Sequence, residues 1–283
     1  MAADHPTPLR DKLGAALPIA LTALATALAG LSTGEMSRAM YWRSAAAQDQ
    51  AKTNDQWSFA GFKRDRSLIV ETTAVTLRAV AGEPAPTGKP ADPPELVVRV
   101  NRFLQTGLDA PAESEAVRKM LAVIHAREPE LEVVKLARLL NLKPDGVAAD
   151  IGRGHADSAA VETAFDAEVD AARKAVAAAA DPKAATAAQA AAYDVDRRRY
   201  RAEAGMNFWV GYLYEVRVAA STAESDRHRI RSERFFYAML AAQLGAVVSS
   251  LALARKRQSA LWLVAGLAGL AAVTFGGYVY VTI

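Results

Sequence analysis

Residues 235–254 read FFYAMLAAQLGAVVSSLALA, residues 255–258 read RKRQ, and residues 259–283 read SALWLVAGLAGLAAVTFGGYVYVTI. Each apolar run is close to the roughly 20 residues that a helix needs to cross the hydrocarbon core of a bilayer. The pair reads as a transmembrane hairpin: a span at 235–254, a basic loop at 255–259 carrying Arg255, Lys256 and Arg257, and a span at 260–283. A matching run at 13–33 makes a third span. None of the three holds Asp, Glu, Lys or Arg beyond Lys12 at its edge. Charged side chains inside a membrane mark ion paths and proton relays, so their absence argues against a proton-coupled transporter or pump.

Between the spans the chain must be wet. Apolar residues make up 52% and charged residues 23%, which fits apolar residues gathered in spans around a charged middle region. The net charge of +3 on 283 residues gives no case for nucleic acid as a partner. The chain has no cysteine, which removes disulfides, zinc–thiolate sites, iron–sulfur clusters and thiol catalysis. Residues 1–12 are a short polar tail with Pro6 and Pro8. Arg10 and Lys12 before an apolar run, with Ala25-Thr26-Ala27 beyond, also fit a cleaved signal peptide. The length of the run and the helical character of the segment after it favour a retained anchor. Pro18 is expected near the start of its span, where a missing N–H costs little.

From 34 to 82 the spacing predicts one long amphipathic helix, with Met36, Met40, Ala47 and Ala51, then Phe62, Ile69, Thr73 and Leu77, as its stripe. Residues 83–94 are a proline-rich linker. Residues 95–156 form a small helical insertion: a helix to about Leu108, a second from Asp109 to about Arg127, and a third from Glu128-Pro129 to near Asn141. A turn at Lys143-Pro144-Asp145-Gly146 and a flexible joint at Asp150–His155 come next. Residues 157–234 are coiled-coil-like helices, with Val161, Phe165, Val169, Ala172 and Val176 stepping by four, four, three and four. Asp181-Pro182 supplies an N-cap and a first helical proline. The fold class expected is all-α: three transmembrane helices, a long antiparallel coiled-coil-like extramembrane stalk, and the insertion.

Two stretches taken together carry a resemblance. The first is AAAQDQAKTNDQWSFAGFKRDR, with Asp55, Gln56, Trp57, Lys63 and Arg64. The second is the closing hairpin with Arg255, Lys256 and Arg257. In their order they resemble an uncharacterised bacterial membrane family, the domain-of-unknown-function family four-three-three-seven. The resemblance covers about half the chain and implies architecture only, with no activity to carry over; the location expected for the chain is a bacterial inner membrane.

No catalytic set stands out. His5, His125, His155 and His228 are scattered without metal-ligand spacing, so no metal site is expected. Gly82 to Lys89 fails as a phosphate loop, because Pro90 stands where Ser or Thr would hold magnesium. Gly152-Arg153-Gly154-His155 is preceded by no strand and is no dinucleotide fingerprint. No cofactor and no enzymatic activity are expected. The polar run Gln48–Gln56 lies within a helix, and any member buried there must be paired. Trp57, Phe59, Phe62, Phe208, Trp209 and Tyr212 are expected at helix-packing or interface positions. Gln243, Ser249 and Ser250 are the polar groups of the second span, suited to interhelical hydrogen bonds or to a pore axis. Arg227, Arg229 and Arg231 are expected at lipid headgroups.

The function expected is an integral membrane scaffold or interaction protein that assembles through its stalk with copies of itself or a membrane-protein partner. The alternative is an oligomeric ion or small-solute channel with a polar axis. Arg255, Lys256 and Arg257 in a short loop place that loop in the cytoplasm and the central region in the periplasm, against the counterweight of Arg38, Arg43, Arg227, Arg229, Arg231 and Arg234 on the other side of the spans.

Overall fold

The computed structural model describes residues 9–82, 93–254 and 259–282. Residues 1–8 of the tail, most of the proline-rich linker, the rejected phosphate loop beyond Gly82 and the basic residues Arg255, Lys256 and Arg257 lie outside the described residues, while residues 9–12 of the tail already belong to the first helix. Among the described residues there are seven helices and no strand: α1 (Leu9–Ala81), α2 (Glu95–Thr106), α3 (Glu115–His125), α4 (Glu130–Leu139), α5 (Pro144–Ala177), α6 (Pro182–Ala254) and α7 (Ser259–Thr282). Three of them, α1, α6 and α7, are long and apolar enough to cross a membrane. The chain forms two compact units. A span unit takes residues up to Arg43 and from Glu224 onward; a central unit takes Ser44–Ala223.

In the span unit, α1 buries Leu21, Ala25, Leu28, Glu35 and Ala39, steps of four, three, seven and four. Small residues let the helices come close, and leucines fill the gaps. A Cβ on Gly245 of α6 would stand 3.1 Å from Leu21, and one on Gly269 of α7 would stand 2.7 Å from it. Leu28 sits the same way against Gly276. Pro18 differs from expectation. Because α1 begins at Leu9, Pro18 lies well inside the helix, where it deletes a backbone donor and crowds the preceding turn. Helix α1 nevertheless runs on through Pro18, and the Thr22 hydroxyl donates to the Pro18 carbonyl at 2.8 Å in the turn that follows.

In the central unit, α1 buries Ala46, Asp49, Thr53, Ala60, Ser67, Ala74 and Ala81. Apart from Asp49 they recur every seven residues, and all but Asp49 are small. The stripe expected from the larger residues is thus the wrong one: Phe62 and Ile69 are exposed. Close packing rewards the small side chain here, and hydropathy alone points to the opposite face.

The polar contacts between α1 and α6 climb one helix as they descend the other. Asp49 pairs with Arg217 at 3.3 Å, Lys63 with Glu203, Glu71 with Arg201 at 2.6 Å, and Arg78 with Asp194. Signs are opposed at every level.

The core of the central unit gathers Val100 and Phe103 of α2, Val117, Met120 and Leu121 of α3, Ala137 of α4, Val147 and Ile151 of α5, and Met206, Trp209 and Leu213 of α6. Fully burying one such large side chain contributes about 1.5–3 kcal/mol. Helix α2 stops at Gly107, whose φ of 71° suits a left-handed C-cap. Helix α3 starts later than expected, at the Ser114 cap, whose Oγ accepts from the Val117 N–H at 3.4 Å. The expected turn at 143–146 forms the opening of α5, its Gly146 N–H donating to the Lys143 carbonyl at 3.0 Å, whereas no joint at 150–155 interrupts the helix. Pro144 is the first residue of α5, and the helix runs on through Gly152 and Gly154. Proline suits a helix start. Gly154 is there for space, since a Cβ would approach Leu213 to 3.1 Å and Val210 to 3.2 Å.

Candidate functional site

The central unit carries a cleft of about 630 Å³. Helix α1 gives it Gln50 and Trp57; the end of α3 and the turn into α4 give Ile124, Arg127 and Glu128; α4 gives Glu130, Val133 and Val134. Helix α6 closes the remaining side with Phe208, Tyr212, Glu215, Val218, Ala219 and Thr222.

Three rings build the aromatic wall. The Trp57 centroid lies 6.4 Å from Phe208 and 5.9 Å from Tyr212. Trp57 reaches that place because Gly211 has no side chain: the indole occupies the space where a Cβ would project. Behind Tyr212 the rings continue into the core. His125 stacks on it at 6.0 Å and Phe103 meets it edge-on at 5.4 Å. His125 is itself fixed, its Nε2–H donating to the Leu104 carbonyl at 3.0 Å.

The electrostatics of the cleft centre on Glu215. Residues 205–223 carry only two charged side chains, Glu215 and Arg217. Arg217 reaches Asp49. Glu215 makes no hydrogen bond or ion pair among the described residues. Burial without a partner disfavours the carboxylate and raises its pKa to about 7. Burial also raises the Tyr212 hydroxyl, and the nearby Glu215 adds to that rise.

The residues singled out in the sequence fall into separate places. Trp57, Phe208 and Tyr212 share the cleft. Trp209 is core, edge-on to Phe103 at 5.5 Å. Phe59 and Phe62 are exposed on α1 and touch neither. In the run Gln48–Gln56, Asp49 and Thr53 are buried. Asp49 faces Arg217, and the Thr53 hydroxyl donates to the Asp49 carbonyl at 3.0 Å. Of the residues carrying the family resemblance, Lys63 pairs with Glu203 and Gln56 lies beside Gly211.

In the span unit Gln243 is exposed, and Ser249 and Ser250 both donate to the Ala246 carbonyl of their own helix, at 2.9 Å and 2.8 Å. Those bonds give a polar axis no support. Arg229 meets Glu233 at 2.8 Å and Arg227 meets Glu224 at 3.8 Å, while Arg231 lies 3.9 Å from Glu35. Glu35 is the centre of a cluster that sequence reading passed over. His228 Nδ1 lies 2.6 Å from its carboxylate and Arg38 lies 3.2 Å away. The signal available was only that Glu35 is the first carboxylate beyond the span. Among the described residues no group of His, Asp or Glu is placed to hold a metal ion.

No protein-family model, curated protein or solved structure matches this chain.

Proposed function

We propose that the chain is a multi-pass membrane scaffold that presents an antiparallel, coiled-coil-like helical stalk and associates with copies of itself through the outer face of α1. The stalk is supported by the opposed charge pairs between α1 and α6 and by the seven-residue recurrence of small buried side chains. Self-association rests on a single observation. Outside the spans, the face of α1 opposite its buried seam exposes Phe59 at 54%, Phe62 at 66%, Ile69 at 63% and Val80 at 74%. With Thr73 and Thr76 between them, these residues step by three, seven, four, three and four, the spacing of a second helix seam. A contiguous apolar stripe on a wet helix marks an interaction surface, and its own repeat makes a second copy of α1 a fitting occupant.

The test is particle mass in a maltoside detergent by light scattering. The wild-type chain is expected as an oligomer, and the double substitution Phe62→Glu with Ile69→Glu as a monomer of unchanged melting temperature. A monomeric wild-type chain sinks the reading. For location we propose a bacterial inner membrane with the central unit in the periplasm. An alkaline phosphatase fusion at Lys89 should then be active, and a silent fusion reverses the orientation.

A further inference from the structure

We infer that the cleft beside Trp57 binds a small organic cation: an ammonium group on an apolar body, with Glu215 as its counter-ion and Trp57, Phe208 and Tyr212 as its wall. The inference does not depend on self-association, because every residue it uses lies within one central unit.

Three features point to this occupant. The first is size. About 630 Å³ falls in the range of roughly 300–1,000 Å³ that small-molecule sites occupy. The second is charge. The lining carries one guanidinium, Arg127, against three carboxyls, Glu128, Glu130 and Glu215, so an anionic occupant meets net repulsion and a cationic one attraction. The third is the pairing of rings with an unsatisfied acid. Ring faces attract a cation, most strongly when water is excluded. Half-buried Glu215 has no partner of its own among the described residues, whereas the buried acids Asp49 and Glu203 have theirs: Asp49 has Arg217, and Glu203 has Lys63 and Arg199. A half-buried carboxyl left unpaired in the protein carries part of the desolvation cost of a buried charge, and an incoming ammonium group supplies the missing charge. Val133, Val134 and Val218 leave apolar surface for the body of the ligand.

The experiment uses the full chain in a maltoside detergent with phenyltrimethylammonium as probe, followed by calorimetry and tryptophan fluorescence. Its charge does not titrate, so any pH dependence belongs to the protein. Saturable binding is expected. It should weaken about tenfold in Glu215→Gln, a substitution that keeps the side-chain size, and at least fivefold in Trp57→Ala. Affinity of the wild-type chain should rise about tenfold from pH 6 to pH 8, as Glu215 ionises. The other titratable groups around the cleft are Tyr212, His125, Arg127, Glu128 and Glu130, so the pH response must vanish in Glu215→Gln. If that variant fails to fold, the wild-type pH series decides alone. Three outcomes overturn the inference: no saturation at 10 mM probe, affinity that does not change with pH, or tighter binding of benzoate than of the cation, which makes Arg127 the anchor of an anion site.

Discussion

Lys63 of α1 and Glu203 of α6 are ion-paired across the seam of the central unit, and Glu203 also accepts from the Arg199 Nε–H at 2.7 Å. The pair sits within a ladder whose signs alternate along each helix: acid, base, acid, base on α1 from Asp49 to Arg78, and the complement on α6. A seam lined by alanine, serine and threonine has little shape to set its register. Opposed charges supply it, because a slip along the helix brings like charges together.

The Glu203→Ala variant should therefore lose about 2–3 kcal/mol, since it leaves Lys63 and Arg199 without their acceptor. That is below the ~3–5 kcal/mol typical of a wholly buried pair, because Lys63 keeps some contact with water. Replacing both partners, Lys63→Met with Glu203→Met, should recover part of the loss. Thermal melts in detergent of the wild type, Lys63→Met, Glu203→Met and the double Met variant give the coupling. Strict additivity of the two single substitutions would remove the register role.

A second register check is available in the span unit. The hydroxyls of Ser32 and Ser232 lie 3.2 Å apart, and Ser232 donates to the Ser32 carbonyl at 2.8 Å. Side chains that close are within the reach of a disulfide. The chain has no cysteine of its own, so Ser32→Cys with Ser232→Cys introduces a single pair. Mild oxidation should close it within one chain, seen as a faster band on a non-reducing gel and a mass lower by two hydrogens. Ser37→Cys with Ser232→Cys should not close, because Ser37 is exposed and bonds back to Thr33 on its own helix. Equal cross-linking of the two pairs would mean that the helices slide.

The seat of Trp57 on Gly211 gives a third prediction. A Cβ at Gly211 competes with the indole for the same space. Gly211→Ala should push Trp57 out of the cleft wall and cost about 1–3 kcal/mol, the usual range for overpacking. The difference in fluorescence between Gly211→Ala with and without Trp57→Phe reports the displaced ring and should show a red-shifted, water-exposed indole. An unshifted spectrum would show that α1 and α6 simply move apart to admit the methyl group.

Each feature was legible in the sequence only as far as its physical signal is local. The candidate spans were legible because crossing a bilayer demands long charge-free runs, and α1, α6 and α7 are long and apolar enough. The break before α6 was legible too, since Asp181 accepts from the Ala184 N–H at 2.8 Å and Pro182 opens the helix. The seam of α1 was not, because hydropathy weights large residues, and here Ala60 and Ala74 are buried while Phe62 and Ile69 are exposed. The glycines of α5 read as a joint because glycine is flexible in isolation; at Gly154 the neighbouring α6 decides the matter. The aromatic half of the cleft was visible as two clusters, Trp57 with Phe59 and Phe208 with Tyr212. Its acidic half was not. Glu128 read as a helix-start residue, and Glu215 gains meaning only when α6 brings it to the cleft without pairing it to a cation.

That isolation makes Glu215 the residue through which pH should act on stability. Its carboxyl is raised from an ordinary value of 4.5 to about 7 by burial. Below pH 4.5 it is neutral in both folded and unfolded chains and has no effect. Between pH 4.5 and 7 the unfolded chain has released the proton while the folded chain still holds it, so stability falls as pH rises. Above pH 7 both forms are ionised and the full cost of the buried carboxylate is present. Because the side chain is only half-buried, that cost is roughly 1–2 kcal/mol, well under the undiscounted shift. Melting temperatures of the full chain in detergent at pH 5, 6, 7 and 8 should therefore decline for the wild type relative to Glu215→Gln, with the two chains differing most at pH 8. Parallel curves across that range would mean that water reaches the carboxyl freely.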